Sequence, residues 1–125
     1  MLSSDQKALL SNKLKNLLEN SEEITAALVT TVDGHLCAMH QRDNYPLDRL
    51  ATMGSSLMSL GDTITAELKM GGCRNIISEN ESGIVTFMHI DASLVLVTIT
   101  LQKNALGMLL AHSRKAAEEM SKMLS

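Results

Sequence analysis

The sequence predicts an α+β fold, a three-layer α/β/α sandwich around a five-stranded antiparallel sheet, with elements in the order α-β-β-α-β-β-β-α. Three observations carry this. Apolar residues recur at helical spacing in three long segments, and five runs rich in β-branched residues lie between them, separated by Asp, Asn and Gly turns. The central runs are also apolar on both faces. In "LVLVTITL", Leu94 and Leu96 point one way while Val95, Val97, Ile99 and Leu101 point the other, so a helix layer is needed on each side of the sheet.

The first helix starts near Ser3 or Ser4, either of which can cap it, and carries Leu10, Leu14 and Leu17 on one stripe with lysines and Glu19 on the other. "NSEE" breaks the pattern. "ITAALVTT" and "HLCAM" read as strands joined through Val32-Asp33-Gly34, where Asp-Gly supplies the positive φ angles of a tight hairpin turn. After the loop "QRDNYP", Pro46 opens a second helix from about Leu47 to Met70, since the first helical turn does not need the N–H that proline lacks. Gly71-Gly72 is expected to end it. A strand from about Cys73 to Glu79 leads through "NESG" to "IVTFMHI" and, past "DAS", to "LVLVTITL", which together make a meander. Asn104 is expected to cap the last helix, on which Leu106, Leu109, Leu110, Ser113, Ala117 and Met120 share a side.

The second helix is unusual for its charge. From Leu50 to Ala66 it carries one charged side chain, Asp62. The stripe Leu50, Met53, Leu57, Leu60, Ile64 and Leu68 is expected to hold the helix on the sheet, at roughly 1.5 to 3 kcal/mol per buried side chain. Beside it run Gly54, Met58, Gly61 and Thr65, and opposite it Thr52, Ser56, Ser59 and Thr63, a smooth and neutral face read as pointing outward. Each glycine inside a helix costs about 1 kcal/mol relative to alanine, which close approach of another backbone would explain. Depletion of charge with enrichment of methionine matches the core of a protein interface, while the plainer alternative fits both glycines against the helix's own sheet.

Composition narrows the class of partner. The 125 residues hold 11 basic and 14 acidic side chains, a net charge of −3, and the only aromatics are Tyr45 and Phe87. That leaves no electrostatic footprint for phosphates and no stacking platform for bases, so nucleic acid is not an expected partner. Few aromatics also argue against a pocket for a flat ligand. No segment has the run of about 20 apolar residues that spans a bilayer, so membrane insertion is not expected. Cys37 and Cys73 are too few for a disulfide framework and no signal-peptide pattern precedes them, which suggests a reducing, cytoplasmic setting and one domain over residues 1–125.

Candidate chemistry is thin. No GxxxxGK[ST] loop is present, so the chain is not a P-loop GTPase. Arg42 and Arg49 could in principle reach a partner's phosphates as an arginine finger, but solvated arginines are far commoner. His35 and Cys37 share a strand face, yet two ligands do not make a zinc site, and adding Cys73, His40 or His89 would require strands to converge. His89 and Asp91 make no catalytic pair, and Cys73 more simply begins a strand than serves as a reactive thiol. Neither enzyme activity nor a cofactor or metal is expected.

The chain resembles the roadblock family, small domains related to a dynein light chain and to bacterial regulators of Ras-like GTPases. "ALVTTVDGHLCAM" is similar to the family's first hairpin. "LDRLATMGSSLMSLGDTITAELKMGGCRNIISENESGIVTFMHI" resembles its second helix and meander, and "ALGMLLAHSRKAAEEM" its last helix. The resemblance implies a homodimer or heterodimer in which the second helices pack together and the middle strands pair edge to edge. On this chain that surface would comprise Gly54, Met58, Gly61 and Thr65, with Arg74, Ile76 and Ser78 on the strand. It further implies a platform for a Ras-like GTPase, or for parts of a motor or signalling scaffold, with Thr52, Ser56, Ser59 and Thr63 as the outer surface. Two other readings stay open: a structural adaptor with no effect on GTP turnover, and a small-molecule sensor of profilin-like layout.

Overall fold

A computed structural model describes residues 2–125. Its elements are α1 (Ser4–Glu19), β1 (Ala26–Thr31), β2 (Leu36–Gln41), α2 (Leu47–Glu67), β3 (Asn75–Asn80), β4 (Gly83–His89), β5 (Leu94–Thr100) and α3 (Leu106–Leu124). The strands form one antiparallel sheet in the order β2-β1-β5-β4-β3. The centre falls to β5, the most apolar run, in which every residue is buried. Side-chain alternation then divides the core. Leu94, Leu96, Ala27, Val29, Ile84 and Met88 pack with α1 and α3, whereas Val95, Val97, Ile99, Ala26, Leu28 and Phe87 pack under α2. This is the three-layer α+β sandwich expected from the sequence.

Local chemistry explains most boundaries. Ser3 caps α1 in a reciprocal box: the Gln6 N–H donates to Ser3 Oγ at 3.1 Å, and the Ser3 N–H donates to Gln6 Oε1 at 2.8 Å. The first hairpin differs from the two-residue turn expected. Only Gly34 takes a positive φ, +92°, and the Gly34 N–H donates to the Thr31 carbonyl at 2.9 Å, so the connection is a type I turn closed by a left-handed glycine. Two helix ends also depart from expectation. The left-handed turn after α2 falls on Lys69, φ 56°, before the glycine pair, and α3 starts after Ala105 with no side-chain cap, so Asn104 does not serve as one.

Fully buried hydroxyls join α3 to the sheet. Thr98 Oγ1 lies 2.5 Å from Thr86 Oγ1 and 2.8 Å from Ser113 Oγ, so each polar group finds a partner inside the core. Two pairs bind α3 to the α1 side, Lys13–Glu119 at 2.6 Å and His112–Glu23 at 2.5 Å. The layer that remains open is the other one. There α2 alone crosses the sheet, and β3 forms an unpaired edge beside it.

Candidate interaction surface

The rotation of α2 about its own axis decides what this layer presents. Its buried residues are Leu47, Ala51, Gly54, Ser55, Met58 and Gly61. Met58 is 1% exposed, and a Cβ on Gly54 would stand 3.2 Å from the Phe87 ring, so the small-residue row is pressed onto the sheet. At Gly61 an added Cβ would come within 2.8 Å of Ile76 Cδ1. The expectation that Gly54, Met58 and Gly61 form an outward surface is therefore corrected: the close backbone approach is to the chain's own strands, and Thr65 on the same row is half-buried.

The leucine stripe expected to hold the helix down turns out to be its exposed flank. Met53 and Leu60 are each 56% exposed, Ile64 50% and Leu68 58%, while Leu50 and Leu57 lean partly onto the core. Glycine is required at two points of the inner face, where Phe87 and Val97 rise to meet Gly54 and Ile76 and Cys73 to meet Gly61, while Leu47 and Met58 fit between and beside them. On the other flank Thr52, Ser56, Ser59 and Thr63 are all exposed, as expected. The helix thus has three faces, one buried, one exposed and apolar, one exposed and hydroxylated.

Beside the apolar flank lies the β3 edge. Ile76 and Ser78 pair with Phe87 and Val85 of β4, residues of the α2-facing layer, and both are half-buried, whereas Arg74 just before the strand is exposed. A carboxylate fixes this junction. Asp62 accepts the Cys73 N–H at 2.9 Å through Oδ1 and meets His89 Nε2 at 3.2 Å through Oδ2. The Cys73 N–H, with His89 beside it, holds the Asp62 carboxyl below the usual carboxylate range. The sequence places His89 and Asp91 on one strand face beside a turn, without making them a catalytic pair. In fact Asp91 accepts the Ser93 and Leu94 N–H groups at the β4–β5 turn, and nothing in the linear spacing of Asp62 and His89 signals their meeting.

The remaining candidate groups serve structure. Arg42 donates to the Leu18, Ile24 and Glu22 carbonyls and pins the end of α1 to the start of β1, while Arg49 stands exposed on α2. Burial pushes both thiols up, at Cys73 with help from the Asp62 charge. Among the described residues no three His, Cys, Asp or Glu side chains gather as metal ligands, and no helix is long and apolar enough to cross a membrane.

This arrangement of elements has known counterparts, and residues 10–100 match the family model for the Roadblock/LC7 domain. The chain belongs to the Roadblock/LC7 family. No curated protein matches it. Among solved structures, one described as MglB with tetrameric arrangement is 19% identical, with a TM-score of 0.88 over 98% of this chain and 93% of that one. MglB of Myxococcus xanthus is 14% identical, with a TM-score of 0.89 over 99% and 93%. Profilin II of Acanthamoeba castellanii is 12% identical, with a TM-score of 0.69 over 93% and 99%. The profilin likeness places this Roadblock/LC7 domain in the wider roadblock/profilin fold, and family membership makes it a roadblock-type regulator or adaptor.

Proposed function

We propose that residues 1–125 act as one Roadblock/LC7 domain that pairs with a second copy of itself and, as that dimer, binds and regulates or anchors a Ras-like GTPase without catalysing a reaction of its own. The observation that carries the reading is the flank of α2 on which Met53, Leu60, Ile64 and Leu68 are each half exposed or more. Apolar side chains aligned along one helix, beside an unpaired strand edge, form a surface that a second copy can cover. Arg74, Ile76 and Ser78 belong to that edge, and the tetrameric arrangement of an MglB relative supports self-association.

The hydroxyl row Thr52, Ser56, Ser59 and Thr63 remains open to solvent on the opposite flank and is the platform offered to the GTPase. Its lack of charge suits an interface core, where desolvating Lys or Glu is expensive. Free thiols at Cys37 and Cys73 fit a reducing compartment, and we place the domain in the cytoplasm.

The reading is tested by titrating the chain with a Ras-like GTPase loaded with GDP or with a non-hydrolysable GTP analogue. A regulator binds one state at least roughly tenfold more tightly, because only differential affinity shifts a switch. Equal binding supports the adaptor, and binding to neither state overturns the GTPase reading. Ser56→Arg with Ser59→Arg is expected to abolish the binding while leaving the dimer intact.

A further inference from the structure

A groove of about 600 Å³ opens between the approach to β3, the end of β4 and the C-terminal half of α3. Buried Met88, Ile90 and Ala117 contribute apolar lining. Arg74, Arg114 and Lys122 line it as well, all three exposed and none in an ion pair among the described residues. Glu118 is the only carboxylate in the lining. On a chain of net charge −3, three cations against one carboxylate around a single groove leave a local excess of positive charge that favours an acidic occupant.

We infer that this groove receives the acidic end of β3 from a second copy of the chain, so that the partner's Glu79 or the partner's Glu81 meets Arg74, Arg114 and Lys122. The inference rests on the dimer reading above and adds the charge contact that gives the pairing its polarity. Within β3, Asn75, Ile77 and Glu79 pair with Met88, Thr86 and Ile84, residues that face the α3 layer, so Asn75 and Glu79 share the face on which the groove lies. Glu81 follows two residues later in the exposed turn.

Antiparallel pairing of β3 with its own copy sets the two-fold axis perpendicular to the sheet, and each residue then lies opposite one on the same face. With Ile77 on the axis, Asn75 stands across from the partner's Glu79. With Ser78 on the axis, Ile76 stands across from the partner's Asn80, and the partner's Glu81, in the turn just beyond, falls beside Asn75. Asn75 is itself a lining residue of the groove, so either register delivers a carboxylate to its mouth, where the long side chains of Arg114 and Lys122 can reach it. Symmetry repeats the contact at the other end of the paired strands. The edge is basic where it begins and acidic where it ends, a pattern that matches itself only head to tail. The interface chemistry thereby favours antiparallel over parallel pairing of these edges.

The test is a charge swap read by sedimentation equilibrium. Glu79→Lys with Glu81→Lys, and separately Arg114→Glu with Lys122→Glu, are each expected to raise the dimer dissociation constant roughly tenfold or more at about 50 mM salt. The loss should shrink at about 500 mM salt, where screening removes the repulsion. The variant carrying all four substitutions restores opposite charges and returns to within about threefold of wild type. Circular dichroism checks folding, and Glu79→Gln with Glu81→Gln gives the same direction of change if a reversed chain fails to fold. A wild-type dimer indifferent to the acidic-end variants, or a four-residue variant no tighter than its parents, overturns the inference and leaves the dimer standing. A wild-type chain that stays monomeric at every concentration overturns the dimer and the groove contact together.

Discussion

Met58 and Leu60 are two residues apart on α2 and meet opposite surroundings, Met58 at 1% exposure beneath the helix and Leu60 at 56% on its flank. A carboxylate placed at each therefore reports a different event. Met58→Glu buries a charge with no partner and is expected to remove about 3 kcal/mol or more of folding stability, enough to lower the midpoint of thermal unfolding by about 10 °C or more. Leu60→Glu reaches water at once and leaves the monomer folded, while it breaks the surface proposed to meet a second copy. Circular dichroism melts and size-exclusion elution of the two variants separate these outcomes. A Met58→Glu chain that melts with wild type would return that residue to the outer surface.

At the scale of elements, the junction of α2 with β3 hangs on Asp62, which accepts the Cys73 N–H and meets His89. Its carboxyl is held low in the folded state, so its contribution is present above the unfolded value near 3.8 and is lost as pH falls through the folded one. Asp62→Asn keeps an acceptor for the Cys73 N–H but cannot titrate. The variant is therefore expected to show a shallower loss of stability in acid than wild type, measured by urea unfolding at about pH 5 and about pH 3. Identical acid slopes in the two chains would remove Asp62 from the account. This tie was invisible in the sequence because it joins residues 27 apart across a packing contact. Periodicity and turn chemistry, by contrast, made the order of elements legible, down to a serine cap for α1 at Ser3 or Ser4, of which the fold uses Ser3. The facing of α2 was not legible, because the helix has two apolar rows and one sequence does not say which of them the sheet accepts. The missing signal was steric: a row of Gly54 and Gly61 suits a sheet surface raised by Phe87 and Ile76, a relation that exists only once the strands are in place.

At the scale of the whole molecule, the sheet is finished on one side and open on the other. Two helices cover one face, tied to each other by Lys13–Glu119 and, through His112 of α3 and Glu23, to the loop after α1, whereas α2 alone covers the opposite face and leaves its apolar flank and the β3 edge in water. A second copy covering both features would couple folding to association, since a partner that binds only the folded chain stabilises it by mass action. The unfolding midpoint of wild type is therefore expected to rise by several degrees as protein concentration increases about a hundredfold. The double variant Leu60→Glu with Ile64→Glu removes the apolar flank without touching the buried row, and its midpoint should be independent of concentration. Differential scanning calorimetry on dilution series of both chains makes the comparison. A concentration-independent midpoint in wild type would mean that the flank awaits a different chain, and a heterodimeric roadblock partner would then be the occupant to seek.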